Sequence, residues 1–239
     1  MQVSFFRNYL KLFHCYQHLR FNSLLQGNRS VLNDIPSYIA LCPELTEENV
    51  DLANNLINSM AVIPNFLSEN DENSILAEIE PYLRKMRYEF DHWDNAIHGF
   101  RETERLKWNE TNTEILNRVR KLAFPPNVAQ LRFVHILDLD KNGYIKPHID
   151  AVRFCGDTIA GLSLLTDSVM RLVNDKNKNL YADILLKRRS LYIMKNFARF
   201  DYTHEILSNE RSVFKGEKIF KDRRISVICR NEPDPAYKT

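Results

Sequence analysis

The stretch Gly143-Tyr144-Ile145-Lys146-Pro147-His148-Ile149-Asp150 places a histidine and an aspartate two positions apart, just past a predicted strand and turn. Residues two apart on a strand or at its edge point their side chains to the same face. A second histidine from a distant strand would complete a 2-His-1-carboxylate facial triad, which leaves positions open on an octahedral Fe(II) ion. The predicted third ligand is His204, within Asp201-Tyr202-Thr203-His204-Glu205. The stretch therefore predicts a metal site in a strand-rich fold.

A second H-x-D triplet, His92-Trp93-Asp94, is an alternative, because a chain with 7 histidines and 31 acidic residues is expected to contain such a triplet by chance. A triad built on it would take His148 as its distal ligand and Arg171 as the residue that binds a carboxylate. The triplet lies in a charged stretch between predicted helices, whereas His148, His204 and Arg224 all lie in or beside predicted strands. We therefore favour the triad that contains His204.

The sequence Arg224-Ile225-Ser226-Val227-Ile228-Cys229-Arg230 predicts a strand whose positions 224, 226, 228 and 230 share one face. An arginine on that face can bind a carboxylate through two parallel hydrogen bonds, as a dicarboxylate cosubstrate requires. Cys229 lies on the opposite face and is predicted to be a small core residue.

After residue 130 the sequence consists of short segments rich in branched and aromatic residues, separated by turn-like residues. This spacing predicts an all-β barrel or double-sheet roll and not alternating strands and helices. The predicted strands are Leu131–Leu139, Thr158–Leu165, Val169–Val173, Leu180–Leu186, Leu191–Met194 and Ile225–Cys229. Within them, Gly161 is expected to mark a strand bend and His135 to be a hydrogen-bonded core histidine.

Helices are predicted before this β core. Ser68 is a predicted N-cap, and Pro81 is expected to kink or stop the helix that follows. A second helix is predicted over Glu102–Leu122. Residues 32–62 mix proline, asparagine and acidic residues, which predicts a linker with one short helix around Thr46–Met60. The expected class is α+β, with N-terminal helices supporting the β core.

The N-terminal segment, residues 1–31, has the composition of a mitochondrial transit peptide. Four basic residues and several bulky apolar ones precede the first acidic residue, Asp34. The basic residues are Arg7, Lys11, Arg20 and Arg29. A cationic amphipathic segment of this kind is typical of import into mitochondria. Without it the formal net charge of +2 becomes −2, so the body of the chain is not an electrostatic binder of polyanions.

The four cysteines, Cys15, Cys42, Cys155 and Cys229, include no C-x-x-C pair. This argues against a disulfide framework and against a cysteine-based zinc site. A reducing compartment suits such cysteines. No apolar run approaches the roughly 18 residues that a membrane span needs, so no span is expected.

Several stretches between about Ile63 and Arg230 resemble the AlkB-homologue family of Fe(II)/2-oxoglutarate-dependent dioxygenases. Besides Gly143–Asp150 they are Arg87–Asp94, Ala96–Glu104, Thr158–Leu165, Ser190–Ile193 and His204–Leu207. The resemblance implies a double-stranded β-helix, or jelly roll, that uses Fe(II), 2-oxoglutarate and O2. The metal ligands that it implies, which also serve as the catalytic residues, are His148, Asp150 and His204.

The resemblance also implies how 2-oxoglutarate is held. Arg224 and Tyr192 would bind its distal carboxylate, and Arg230 would lie near its metal-proximal end. Ser226, on the same strand face, is counted with these cosubstrate-binding residues.

The chain departs from the family pattern at two places. The family's carboxylate strand usually reads R-x-N-x-T-x-R, whereas Ser226 and Ile228 replace the asparagine and threonine here. Members that repair nucleobases have an N-x-Y pair that contacts the cosubstrate, and the nearest equivalents here are Asp138 and Asp140. The region where those members build a nucleotide-gripping lid is charged and predicted helical. Duplex base flipping is therefore not expected.

The expected function is that of a monomeric dioxygenase of the mitochondrial matrix that decarboxylates 2-oxoglutarate and hydroxylates or demethylates a macromolecule. The resemblance favours RNA demethylation on mitochondrial transcripts or transfer RNA. The candidate basic residues that would bind RNA are Lys187-Arg188-Arg189 and Arg84-Lys85-Arg87. The alternative is a protein-directed hydroxylase or a regulatory dioxygenase in mitochondrial fatty-acid metabolism and programmed necrosis, without nucleobase repair. A third hypothesis is a 2-oxoglutarate-binding scaffold that turns over only uncoupled.

The expected boundaries follow from these assignments. They are a transit peptide over residues 1–31, a linker over 32–62, a dioxygenase domain over 63–232 and a C-terminal tail over 233–239.

Overall fold

Strands make up most of the regular structure. The computed structural model describes residues 31–90 and 96–237. Its strands are β1 (Ile39–Leu41), β2 (Met60–Ile63), β3 (Ile97–Arg105), β4 (Val134–His148), β5 (Thr158–Leu164), β6 (Ser168–Asn174), β7 (Tyr181–Leu186), β8 (Ser190–Lys195), β9 (Tyr202–Ile206), β10 (Val213–Phe214), β11 (Glu217–Lys218) and β12 (Arg224–Arg230). Its helices are α1 (Pro43–Glu47), α2 (Val50–Ser59), α3 (Glu69–Leu83), α4 (Glu110–Ala123), α5 (Asn196–Phe200) and a 3₁₀ turn at Pro235–Tyr237.

The main sheet is antiparallel, and it curls because β4 belongs to both of its halves. Its hydrogen-bonded strands follow the order β1-β7-β6-β9-β4-β12-β5-β8-β2, and β3 pairs with β4 outside this path. The first part of β4 pairs with β12, and its last part pairs with β9, where His148 lies opposite His204. A strand that passes from one layer into the other closes the sheet around an interior.

A β-bulge near the end of β4 turns His148 toward this interior. Between the pairs Ile145–Ile206 and His148–His204, β4 takes three steps where β9 takes two. One extra residue reverses the alternation of side chains between the two faces of a strand. Ile145 and His148 therefore both point inward.

Two hydrophobic clusters lie on opposite faces of the strands. The interior cluster includes Leu139, Leu172 and Ile228. The second cluster joins α3 and α4 to the outer face of β12 and β5, and it includes Val227 and Cys229. The predicted alternation along β12 is therefore present, and Cys229 is the small core residue that the sequence predicts.

Residues 32–62 do not form the linker that was predicted. In this segment β1 pairs with β7, β2 pairs with β8, and the buried side chains of α2 pack into the interior cluster. The predicted helix around Thr46–Met60 corresponds to α2 together with the last two residues of α1. The polar composition misled the prediction because a short amphipathic helix needs only one apolar face to pack.

The helix predicted over Glu102–Leu122 is wrong in its first half. Residues 97–105 form β3, which pairs with β4, and the buried Arg101 side chain donates to Asp138 Oδ2 at 2.7 Å. Glutamate and arginine favour helices, but pairing with a neighbouring strand outweighs such weak preferences. The helix α4 starts later, after Asn109, whose side chain accepts a hydrogen bond from the Asn112 amide at 2.8 Å.

The N-cap predicted at Ser68 is confirmed. The Ser68 hydroxyl accepts a hydrogen bond from the Asp71 amide at 3.0 Å, and the Asp71 carboxylate accepts one from the Ser68 amide at 3.0 Å. This reciprocal capping box fixes where α3 begins. Pro81 lies near the end of α3, which stops at Leu83.

Some sequence predictions fall on residues outside the described ranges. They are the transit peptide, of which only residue 31 is described, and the alternative triplet His92-Trp93-Asp94. Among the described residues, no helix is both long enough and apolar enough to cross a membrane.

Candidate metal centre

The predicted triad comes together where β4 and β9 pair. His148 is the last residue of β4, Asp150 follows two residues later, and His204 lies opposite His148 on β9. The candidate ligand atoms of these three residues all lie within 4.8 Å of one another. Asp150 Oδ1 is 3.4 Å from His148 Nε2 and 3.7 Å from His204 Nε2. The group has the composition of a facial triad for Fe(II).

A backbone contact fixes the orientation of the first imidazole. His148 Nδ1 lies 2.9 Å from the carbonyl oxygen of Lys146. A carbonyl can only accept, so Nδ1 bears a proton, and Nε2 is the ring nitrogen that faces Asp150. Metal-binding histidines are commonly oriented in this way by the second ring nitrogen.

The electrostatics of the site suit a cation. Burial acts to raise the pKa of Asp150, but the hydrogen bond with His148 and the charge of Arg230 hold that pKa well below its usual range. Burial, with a contribution from His148, lowers the pKa of His204 to about 3. At neutral pH the site therefore presents a carboxylate and a neutral imidazole, which are the protonation states that a metal requires.

The arginine predicted to bind the distal carboxylate is a buried cation with unused donors. Arg224 is 1% exposed, and its Nε and Nη2 atoms have no hydrogen-bond partner among the described residues. Burial lowers its pKa, and the neighbouring Tyr192 hydroxyl acts in the opposite direction. A buried guanidinium is costly unless an anion pairs with it. The site therefore fits a carboxylate at this position.

Gly161 makes room for the tyrosine beside this arginine. Gly161 and Tyr192 are cross-strand partners on β5 and β8, and a Cβ atom at position 161 would overlap the Tyr192 ring. Gly161 was expected from the sequence to mark a strand bend. The structure shows a steric reason for the glycine: because position 161 has no side chain, the Tyr192 ring can lie across the backbone there.

Three serines extend the same face, and two of them were missed in the sequence. Ser163 lies opposite Ser226 and also opposite Ser190. All three are fully or almost fully buried, and the hydroxyls of Ser163 and Ser190 have no partner among the described residues. Only the pairing register brings them together, so no local pattern could have identified them.

Arg230 links the triad to His135 on β4. One guanidinium nitrogen lies 3.3 Å from Asp150 Oδ2 and another lies 3.4 Å from His135 Nδ1. On the far side, His135 Nε2 lies 3.1 Å from Glu102 Oε2. His135 is hydrogen-bonded, as predicted, but it is half-buried and not fully in the core. Glu102 was missed because it was predicted to lie in a helix.

Two further residues named in the sequence analysis, Asp138 and Arg171, form ion pairs within the fold. The carboxylate of Asp138 faces away from the interior and binds Arg101 at 2.7 Å and Arg223 at 2.7 Å. Arg171, the alternative carboxylate grip, is held by both oxygens of Asp183 at 2.7 and 2.8 Å. Neither Asp138 nor Arg171 is free for a cosubstrate.

Two curated relatives decide the family. The chain is 52% identical over 179 residues to the Bos taurus protein named alpha-ketoglutarate-dependent dioxygenase alkB homolog 7, mitochondrial, a match that covers 75% of this chain and 81% of the relative. The Mus musculus protein of the same name is 51% identical over the same length. The chain belongs to the AlkB-homologue family. This AlkB homologue is therefore an alpha-ketoglutarate-dependent, that is 2-oxoglutarate-dependent, dioxygenase, and it is mitochondrial as its relatives are.

Solved structures confirm the fold of this AlkB homologue. The structure of OsALKBH1 superposes with a TM-score of 0.54 at 10% identity and covers 72% of this chain and 97% of its own. A prolyl hydroxylase from Trichoplax adhaerens, in complex with a hypoxia inducible factor peptide fragment, gives 0.54 at 12% identity and covers 77% and 88%. The predicted double-stranded β-helix is thus confirmed. No family model matches the chain.

Proposed function

We propose that this AlkB homologue binds Fe(II) through His148, Asp150 and His204 and holds the distal carboxylate of 2-oxoglutarate on Arg224. The main support is that an unpaired buried guanidinium and the three candidate ligands face the same interior. Tyr192 and Ser226 would assist Arg224, and Arg230 would lie at the metal-proximal end of the cosubstrate.

Bound iron, with 2-oxoglutarate and O2, supplies an oxidant that inserts oxygen into a C–H bond of the substrate while succinate and CO2 form. The residues of the chain prepare the site for this chemistry. His204 offers a neutral imidazole, His148 offers a second imidazole, and Asp150 offers a carboxylate that its hydrogen bond with His148 and the charge of Arg230 keep ionised. Arg224 neutralises one end of the cosubstrate and so fixes which end reaches the metal.

The boundaries and setting of the enzyme are part of the proposal. We place the dioxygenase domain over residues 32–232, because β1 and β2 belong to its sheet. Residues 1–31 would act as the transit peptide, and 233–239 as the tail. The enzyme would work in the matrix as a monomer.

RNA demethylation remains a prediction, but the basic residues suggested for it have other contacts. Arg188 pairs with the buried Glu72 at 2.8 Å, and Arg84 pairs with Glu80 at 3.3 Å. The turn containing Lys187–Arg189 precedes β8, whereas Arg230, which contacts the triad, is level with the other end of that strand. Six residues of strand span about 20 Å at ~3.3 Å each. This turn is therefore poorly placed to hold RNA at the metal.

The side chains near Arg230 and the triad favour a protein substrate. Glu102 and the exposed Glu104 occupy inward positions of β3, next to His135. In the loop after Asp150, Val152 is 37% exposed and Phe154 is 56% exposed. An acidic rim repels phosphates, whereas acidic and apolar groups together suit a peptide segment with basic and apolar side chains. We therefore propose a protein-directed hydroxylase, with RNA demethylation as the alternative.

The site is tested by anaerobic calorimetric titration of 2-oxoglutarate into the Mn(II)-loaded protein. We expect binding that depends on Mn(II) and is lost in His148→Ala and in Arg224→Ala. His98→Ala and Arg84→Ala are matched controls, because these side chains lie outside the interior, and they should bind as the wild type does. Binding that is unaffected by His148→Ala would remove the metal assignment.

The substrate is tested by succinate release with mitochondrial peptides and, separately, with methylated RNA oligonucleotides. A protein-directed enzyme is stimulated by peptides, and the product peptide gains one oxygen atom. The double variant Glu102→Gln/Glu104→Gln should lower this stimulation for basic peptides. Stimulation by RNA alone, with formaldehyde release and steep salt dependence, would establish the alternative instead.

A further inference from the structure

A buried thiol lies beside a carboxylate of the candidate metal centre. Cys155, in the loop between β4 and β5, is 1% exposed. Its Sγ atom lies 3.8 Å from Asp150 Oδ2, on the oxygen that does not face the two histidines. Cys155 is not one of the three clustered candidate ligands. A sulfur atom is thus held against a metal-site carboxylate without belonging to the ligand set.

A second buried arginine faces this thiol. Arg199, on α5, is 0% exposed, and its Nη2 atom donates to Cys155 Sγ at 3.2 Å. Its Nε and Nη1 atoms have no partner among the described residues. No described carboxylate forms an ion pair with Arg199, so the thiol is its nearest acceptor. The N–H donors of a buried guanidinium are normally paired with acceptors. Two donors of Arg199 therefore have room for an oxygen acceptor that the thiol does not provide.

The two observations fit the product of one chemical step. A thiol is a weak acceptor with no oxygen, whereas sulfenic and sulfinic acids place one and two oxygens on the same sulfur. These oxygens would arise beside the unused donors of Arg199. The arginine is therefore more complementary to the oxygenated sulfur than to the thiol.

We infer that Cys155 is a self-oxygenation site, at which turnover without substrate converts the thiol to a sulfenic acid that Arg199 holds. This inference rests on the iron site proposed above. The oxidant is O2, and 2-oxoglutarate is the co-reductant. One oxygen atom of O2 enters succinate as 2-oxoglutarate loses CO2, and the other is inserted into the S–H bond. The S–H bond breaks, an S–O bond forms, and the proton ends on the sulfenic oxygen, so that RSH + O2 + 2-oxoglutarate gives RSOH + succinate + CO2.

The modification would switch the enzyme off. An oxygen on Cys155 competes with Asp150 for space and hydrogen bonds on the side of Oδ2, and it displaces the carboxylate from its position beside Arg230. A second oxygenation to the sulfinic acid adds a negative charge there, and this product is not reduced by ordinary thiols. The enzyme would thus lose activity when it consumes 2-oxoglutarate without a substrate.

The test uses the full chain loaded with Fe(II) and supplied with 2-oxoglutarate and air, without other substrate and with catalase present. Succinate is measured in the same sample as the mass of the tryptic peptide 154–171, with fragment ions to separate Cys155 from Met170. Cys229 is a matched internal control, because it is also 1% exposed but packs between β12 and the helices. Parallel samples omit O2, 2-oxoglutarate or catalase.

We expect Cys155 to gain one or two oxygen atoms, at least tenfold more than Cys229, only in the complete sample. Cys155→Ala should consume 2-oxoglutarate several-fold longer before it stops, whereas Cys229→Ala should stop as the wild type does. Succinate formation without oxygen on Cys155, equal oxidation of both cysteines, or prevention by catalase would each overturn the inference. Absence of succinate in the wild type would also overturn this inference, whereas the proposed iron site is overturned only if the Mn(II)-dependent titration above shows no binding.

Discussion

Arg224, which we propose as the residue that binds the distal carboxylate, occupies its position at a cost in stability. Its side chain is a buried cation whose neighbour Tyr192 is a phenol and not a carboxylate. A buried ion without a counter-ion destabilises the fold that contains it. The position therefore makes sense as a binding site whose anion arrives with the cosubstrate.

Replacing Arg224 by methionine should separate binding from stability. The substitution Arg224→Met removes the unpaired charge and keeps most of the volume, so the free energy of unfolding without ligand should stay the same or rise by about 1–3 kcal/mol. Binding of 2-oxoglutarate should be lost. Urea unfolding and calorimetric titration measure the two effects, and a clear loss of stability would contradict our account of Arg224.

The contact between Gly161 and Tyr192 gives a second prediction at this scale. Gly161→Ala forces the Tyr192 ring from its position and should destabilise the fold by about 1–3 kcal/mol, with weaker binding of 2-oxoglutarate. In a Tyr192→Ala background the same substitution should cost much less, because the overlapping ring is gone. A double-mutant cycle of unfolding free energies measures this coupling, and additive effects would disprove the steric explanation.

Among the elements, β4 decides where the sheet turns from one layer to the other, and Lys221 stabilises that turn. Its ammonium group donates to the carbonyl oxygens of Asp140 at 3.0 Å and Lys141 at 2.9 Å. Burial, with the nearby charge of Arg224, lowers the pKa of Lys221 from 10.5 to about 8. A charged group is thus used inside the fold to satisfy two backbone acceptors.

The stability of the chain should depend on pH through Lys221. Between pH values of about 8 and 10.5 the unfolded chain binds more protons at this side chain than the folded chain does, so its contribution to the unfolding free energy rises with pH. Lys221→Met lacks this contribution. Urea unfolding at several pH values should show that the unfolding free energy of the wild type increases relative to that of the variant as pH rises. Parallel pH curves would contradict the lowered pKa.

The elements also show what a sequence can and cannot predict. The alternation along Arg224–Arg230 was predictable because it has the period of a strand, and the triad was predictable because His148 and Asp150 are two apart. By contrast, the last four residues of β3 were assigned to a helix because the charged residues among them have helical preferences that strand pairing overrides. Ser163 and Cys155 could not be foreseen, since their neighbours depend on the register of distant strands and on the fold of a loop.

For the whole molecule, the ends of the sheet order give a prediction about truncation. The strands β1 and β2 are the first and last in that order, and both lie before residue 64. A chain that begins at residue 64 exposes the edges of β7 and β8 and much of the interior cluster, so it should be aggregated or lack cooperative unfolding. A chain that begins at residue 32 should unfold cooperatively. Thermal unfolding and size-exclusion chromatography compare the two, and a folded shorter chain would restore the linker interpretation.

The bulge in β4 has a consequence at the level of heredity. His148 faces the metal site because the bulge absorbs the one residue more than regular pairing would place between it and Ile145. Loss of a single codon between these positions would remove the bulge and leave the histidine two positions after Ile145, still opposite His204 and on the same face of a regular strand. The place of the imidazole can therefore be inherited through a change in the number of residues in this strand, because the bulge absorbs the difference of one residue.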